Sequence, residues 1–209
     1  AMPGEGHQIA VADFMDNEAV RTTVDAVVQA RPVHILVNNT GGPAGGPITE
    51  ARADAFENTY RQHLVNNQLL AQAVFPGMKA AGWGRIVNVI STSVKAPLIC
   101  LGVSNTVRGA VANWAKTWAT EVAAHGITVN NVLPGATHTA RLTGLAKAKA
   151  ASTGQTPEDI LAAMAAKVPA GRVGRPEEVG HAIAFLCSPA AGYISGINLP
   201  VDGGRTPCL

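Results

Sequence analysis

Short β-branched runs alternate with longer Ala-rich stretches along the 209 residues, and this alternation predicts an α/β fold, a doubly wound parallel sheet with helices on both faces. Two further observations agree. The run Ile86-Val87-Asn88-Val89-Ile90 is apolar on both alternating faces apart from its Asn, as a strand covered on both sides requires. The composition, 47% hydrophobic but only 4% aromatic, supplies small aliphatics that let helices pack closely on a sheet. There are no internal repeats, and the length is that of one domain, taken as 1–209, with 137–175 as a substrate flap within it.

Strands are predicted at His7–Asp13, Val33–Asn38, Arg85–Ser91, Ile127–Leu133 and Gly196–Val201, with helices in the gaps. Asp16 or Asn17 caps the first helix, which runs to Gln29, because a short oxygen-bearing side chain there accepts free backbone N–H groups. By the same logic Thr49 caps a long second helix reaching Ala81, and a third spans Val103 to His125. Thr156-Pro157-Glu158-Asp159 opens a fourth and Pro176-Glu177-Glu178 a fifth, proline suiting the first helical turn. Between Thr137 and Thr156, Gly144, Gly154 and polar residues break any period, which predicts a mobile flap near a ligand.

A net charge of +2 with no block of like charges speaks against a nucleic-acid partner. No apolar run approaches the roughly 18 residues of a membrane span, so no membrane partner is expected. The opening Ala1-Met2-Pro3-Gly4-Glu5-Gly6 lacks the basic start and apolar centre of a signal peptide. Cys100, Cys187 and Cys208 have no metal-ligand spacing and form an odd set, so a reduced, cytoplasmic setting and no metal site are expected.

Three stretches carry candidate chemistry. Val33 to Gly42 reads as a buried strand ending in two Asn and then Gly, where an amide can tie neighbouring backbone and Gly lets a flat ligand approach the chain. A strand followed by a plain turn accounts for the same residues. Asn130-Asn131-Val132-Leu133-Pro134-Gly135-Ala136-Thr137-His138-Thr139 runs a strand into a Pro-Gly turn. Ser91 ends the central strand, and Ser104 and Arg108 beyond it lie one turn apart on one helix face.

In this frame the chain resembles the short-chain dehydrogenase/reductase family, and within it the 3-oxoacyl-(acyl-carrier-protein) reductase branch. The likeness runs from His7 to Gly204 and is nearly word for word over Gly171 to Val179 and Val201-Asp202-Gly203-Gly204. The resemblance implies a Rossmann-like sheet, NAD or NADP as cofactor, and hydride transfer between the nicotinamide and a carbonyl or secondary alcohol. It also implies a small-molecule carbonyl or acyl-thioester substrate and a homodimer or homotetramer. Asp13 and Phe14, in a stretch that is equally a strand end and helix cap, would meet the adenine ring. Asn39, Thr40 and Gly41 would line the dinucleotide, Pro134 and Gly135 would pass over the nicotinamide, and Thr137 and Thr139 would reach the carboxamide or diphosphate.

The departures narrow the question. The family's Tyr-x-x-x-Lys pair falls on Ser104 and Arg108. A phenol titrates near 10 and a nearby cation brings it toward neutrality, whereas an aliphatic hydroxyl starts several units higher and stays protonated. Arg108 keeps a charge that can hold ribose hydroxyls but cannot lose a proton to relay one. Four residues after Tyr60 and Tyr193 stand Leu64 and Ile197, so neither tyrosine rebuilds the pair. Thr40 replaces the family's Ala, and His63 falls where the family has an Asn that anchors a water. Histidine is a natural proton carrier and Lys95 another stand-in, although a packed histidine and a solvated lysine are the plainer readings. The expected catalytic set is Ser91, Ser104, Arg108 and His63, with Ser104 or a water near it completing the proton path. The competing class is a binding or scaffold protein that keeps the fold without the chemistry.

The family's opening Gly-x-x-x-Gly-x-Gly turn has no counterpart here. In a sheet ordered 3-2-1-4-5-6-7, a strand at His7–Asp13 would stand three spacings of ~4.8 Å from Val33–Asn38. Either a parent protein carries roughly 50 to 70 residues upstream, the size of two strand–helix units, or the fold has rearranged; the first is favoured. Cofactor binding by the chain as given would then be impaired, and the residues that choose NAD or NADP would lie in the upstream part. Arg141, Lys147, Lys149, Lys167, Arg172 and Arg175 outnumber Glu158 and Asp159, which fits an acidic carrier or a solvated flap.

Overall fold

The computed structural model describes residues 5–208, apart from the side chains of residues 148 and 152. Its four strands, β1 Ile35–Asn38, β2 Gly84–Val89, β3 Ile127–Pro134 and β4 Asn198–Val201, form one parallel sheet in chain order. Helix α1, Asn17–Ala30, precedes β1. Between β1 and β2, α2 Ala53–Tyr60 passes through a π-helical turn, Arg61–Val65, into α3 Asn66–Ala81. Helix α4, Gly102–Val122, crosses from β2 to β3, and α5 Ala140–Thr153, α6 Pro157–Ala165 and α7 Pro176–Cys187 lead to β4.

Because successive strand side chains face opposite ways, β2 and β3 bury both faces. Ile86, Ile127 and Val129 meet Ala71, Val74 and Met78 of α3 and Ala115, Ala119 and Val122 of α4. On the other face Val87 and Val132 meet Val179 and Leu186 of α7. Each aliphatic side chain so buried contributes about 1.5–3 kcal/mol. Helices α3 and α4 are also tied by polar contacts, since the indole N–H groups of Trp114 and Trp118 both donate to Gln68 Oε1, at 2.7 and 2.9 Å.

A row of carboxamides crosses the sheet. Asn38 Nδ2 donates to Asn88 Oδ1 at 2.8 Å, Asn88 Nδ2 to Asn131 Oδ1 at 2.9 Å, and Asn131 Nδ2 to Asn198 Oδ1 at 2.8 Å. The four residues are in register on adjacent strands, which is what places their amides in line. Asn88 and Asn131, two residues from Ile86 and Val129, sit on the α3 and α4 face, and both are buried. A buried amide without partners costs free energy, so the row exists only as a connected chain.

The structure corrects two expectations and adds a helix to a third segment. No strand forms over His7–Asp13; the segment is irregular, with Ile9 and Val11 exposed. An extended segment becomes a strand only with a ladder to join, and none of the described strands lies beside it. Thr49 lies in a 3-10 turn, Ile48–Glu50, and α2 starts at Ala53. The stretch expected to be a mobile flap contains α5, where Thr139 Oγ1 accepts the Leu142 N–H and Gly154 closes the far end in the left-handed region. Ala146 and Ala150 of α5, four residues apart, pack on Ile160 of α6, a stripe too small to show as a hydrophobic period. The other caps fall where the sequence puts them. Asp16 accepts from the Glu18 and Ala19 N–H groups, and Thr156 forms a capping box with Asp159.

Replacing a central member of the amide row strands its neighbours. Asn88→Leu leaves Asn38 Nδ2 and Asn131 Oδ1 buried without partners, and a loss of about 3 kcal/mol is expected in urea unfolding. An exposed change such as Glu158→Gln serves as the reference.

Candidate active site

All four strands point the same way, so the chain leaves β1, β2 and β3 on one side of the sheet, and a cleft of about 780 Å³ opens there. Its wall holds Asn39, Thr40 and Gly41 after β1, Ser91 after β2, Ser104 and Arg108 of α4, Pro134 at the end of β3, and Gly135, Thr137 and Thr139 beyond it. These are the residues singled out by sequence, with four exceptions. Asp13 and Phe14 are not among the lining residues: Asp13 Oδ1 accepts the Met15 N–H, and the Phe14 carbonyl accepts from Asn66 Nδ2. His63 stands behind the wall at 2% exposure. Lys95 is not among the lining residues either.

Ser91 begins a 3-10 turn, Thr92–Val94, and its Oγ accepts the Ser93 N–H at 3.1 Å. Its own O–H stays available to donate toward the cleft. Arg108 is 8% exposed; one terminal N–H donates to the Val89 carbonyl at 2.7 Å and another to the Thr40 carbonyl at 3.4 Å. A guanidinium has five N–H donors, so three remain, and among the described residues no Asp or Glu lines the cleft to meet the charge. Burial, with the nearby charge of Arg141, lowers its pKa to about 10. It is a cation at any ordinary pH.

Thr40 and His63 meet. Thr40 Oγ1 lies 2.6 Å from His63 Nδ1, while His63 Nε2 is buried with no hydrogen-bond partner. The ring is carried by the π-helical turn, a distortion common at functional sites. Burial first, then the charges of Arg108 and Arg141, lower its pKa to about 4, with the backbone of Gly41 pulling the other way. At neutral pH the imidazole is neutral.

Sequence reasoning passed over several lining residues. Arg141 of α5 reaches across the cleft to the Gly42 and Pro43 carbonyls at 3.1 and 3.3 Å. Leu101, Leu142 and Leu145 give the space an apolar side. The cation was visible in the chain, but its span of nearly a hundred residues to Gly42 has no local signature.

A family model described as enoyl-(acyl carrier protein) reductase matches residues 2–206. This chain belongs to the short-chain dehydrogenase/reductase family. It is 36% identical over 201 residues to cis-4-hydroxycyclohexanecarboxylate dehydrogenase of Sinomonas cyclohexanicum, covering 93% of this chain and 74% of the relative. Against the 3-oxoacyl-(acyl-carrier-protein) reductase of Vibrio harveyi the identity is 34% over 203 residues, covering 96% and 77%. Among solved structures, L-sorbose reductase of Gluconobacter frateurii complexed with NADPH and L-sorbose superposes with a TM-score of 0.90 at 31% identity, over 96% of this chain and 77% of that one.

The open backbone and free donors of the cleft fit part of a nicotinamide dinucleotide, the kind of cofactor in the NADPH complex of its solved neighbour. A Cβ built on Gly41 would meet nothing within 4 Å, so the backbone there is open to a flat ligand. Gly135 has no room for a side chain, since its Cβ would lie 2.6 Å from Asp202 Cβ; this close approach sets the turn after β3. The uncompensated Arg108 supplies donors for hydroxyl or phosphate oxygens.

The low pKa of His63 makes stability depend on pH. Between an ordinary 6.5 and about 4 the unfolded chain takes up a proton that the native ring refuses, so stability falls as pH drops through that window. A loss of about 2 kcal/mol between about pH 7.5 and about pH 5 is expected in urea unfolding, absent in His63→Asn.

Proposed function

We propose that this chain is an NAD- or NADP-dependent oxidoreductase that interconverts a carbonyl and a secondary alcohol, of the 3-oxoacyl-(acyl-carrier-protein) reductase type. One observation carries the reading. One cleft at the carboxyl ends of the strands gathers Ser91, Ser104 and Arg108 with the Asn39-Thr40-Gly41 and Pro134-Gly135 turns, and no acidic residue among the described ones lines it. The relatives named above act on hydroxyl or carbonyl carbons, which supports the reaction class.

When bound, a nicotinamide dinucleotide supplies or takes up the hydride. The chain's own residues do the rest. The Ser91 O–H donates to the substrate oxygen and fixes the carbonyl plane. Arg108 offers its free N–H groups to ribose hydroxyls while Val89 and Thr40 hold the guanidinium from behind. Ser104, or a water held near it, stands closest in sequence logic to the proton path. Asp13 and Phe14 remain candidates for the adenine end. Thr139 caps α5 through its oxygen, leaving its O–H for a carboxamide or diphosphate.

The acyl-carrier part of the reading has a narrower base than the charge count suggests. Arg172 is committed to Glu178, at 2.6 and 2.8 Å, an ion pair that, with the Arg175 N–H, holds the Glu178 carboxyl at about 2. A homodimer or homotetramer acting in the cytoplasm is the expected setting. Ser104 favours a second reading, a binding or scaffold protein, because an aliphatic hydroxyl is a poor proton donor.

The test is NADH or NADPH with a panel of ketones. Turnover is expected, and Arg108→Met should weaken dinucleotide affinity about tenfold, roughly 1.4 kcal/mol, measured by calorimetry. Dinucleotide binding without turnover, unaltered by Ser104→Ala, would establish the binding reading instead.

A further inference from the structure

We propose that Thr40 and His63 form the proton-exchanging couple of the cleft: Thr40 Oγ1 meets the substrate oxygen, and His63 acts through it as the positioning and relay residue. The proposal rests on the oxidoreductase reading and deepens it. Thr40 lines the cleft together with Ser91, Ser104 and Arg108, and its hydroxyl is 2.6 Å from His63 Nδ1. The ring itself is shut away from solvent at 2% exposure, so Thr40 is its link to the cleft.

A histidine kept for packing alone is a poor choice at this position. Its Nε2 is buried without a partner, and a polar atom left so costs about 1–3 kcal/mol that an aliphatic side chain would avoid. The π-helical turn at Arg61–Val65 is the local distortion that carries the ring to Thr40. Ser104, by contrast, has no hydrogen-bonded base among the contacts the structure gives it.

The surroundings set the resting state. Arg108 of α4 and Arg141 of α5 are the charged groups acting on the ring, and both disfavour its protonation, whereas the backbone of Gly41 favours it. We assign the proton of the neutral ring to Nε2, so that Nδ1 accepts from the Thr40 O–H. In alcohol oxidation the substrate O–H bond breaks and its proton passes to Thr40 Oγ1 as the Thr40 proton passes to Nδ1. The hydrogen on the substrate carbon leaves with its electron pair to an oxidised nicotinamide dinucleotide, and His63 ends as the imidazolium. Carbonyl reduction runs through the same atoms in reverse. An anionic dinucleotide in the cleft offsets the two guanidinium charges and raises the basicity of the ring.

The experiment compares the wild type, Thr40→Val, Thr40→Ser and His63→Asn. Turnover is measured with NAD+ and NADP+ against a panel of secondary alcohols, dinucleotide affinity by calorimetry, and the His63 ring by nitrogen-15 NMR. Thr40→Val is expected to lower kcat about 100-fold with dinucleotide Kd within about threefold, and Thr40→Ser to recover turnover. His63→Asn should lower kcat about tenfold and flatten the acidic limb of kcat against pH. The His63 ring should titrate near 4 in the free protein and higher with NADP+, and its Nδ1 shift should move in Thr40→Val. A Thr40→Val enzyme with kcat within about threefold of wild type, or a ring shift indifferent to Thr40, would overturn the couple while leaving the oxidoreductase reading in place. A wild type that binds neither dinucleotide overturns that reading itself; one that binds without turnover overturns both.

Discussion

The line of amides through Asn38, Asn88, Asn131 and Asn198 fixes how the four strands stand relative to one another. In a parallel sheet of aliphatic side chains, hydrophobic contact alone tolerates sliding, because one branched residue replaces another two positions along. A connected row of buried carboxamides does not. A slip of one residue turns every side chain to the opposite face, and a slip of two moves an aliphatic group into the row and leaves amides unpaired. The residues after β1, β2 and β3 therefore depart from one level, and the cleft walls follow from that alignment.

The same face carries α3 and α4, which explains why the helix bearing Ser104 and Arg108 reaches the cleft at a fixed height. Val111, Ala115 and Ala119 of α4 are buried below, and Gly102 at its start lets Ile48 pack against the helix backbone. A guanidinium carried on so constrained a helix cannot swing out to solvent. Its charge stays in the cleft, held by two carbonyls that cannot neutralise it, and any ligand that enters with oxygens to offer meets donors already aimed.

Much of this was legible in the sequence. The continuous apolar runs mark β1 to β4 within a few residues; burial on both faces holds for β2 and β3, but the strand expected to be buried after Val33 leaves Ile35 and Val37 exposed, because no described strand or helix covers that face of β1. Asp16, Thr156 and Pro176 mark helix starts because capping is a short-range interaction. His7–Asp13 misled because β-branched composition describes a side chain's fitness for a sheet, not the presence of a neighbour to pair with. Helix α5 escaped because its buried stripe is alanine. The amide row could have been anticipated in part, as each of the four strands carries an Asn, although Asn198 opens its strand whereas Asn38 closes its own. Thr40 and His63 each depart from the family pattern, yet their contact spans 23 residues and a change of element, and only the fold brings them together.

The pairing of two indoles with the single acceptor of Gln68 has an optical side. Of the three tryptophans, Trp114 and Trp118 lie on α4 and share that acceptor from α3, while Trp83 stands apart against the guanidinium of Arg85 at 4.6 Å. Two of the three indole fluorophores therefore sit at the seam between the helix that follows the His63 turn and the helix that carries Ser104 and Arg108. The protein comes with its own fluorescent gauge of how those two helices are seated, and Trp114 packs on the cluster of Ile90, which lines the cleft.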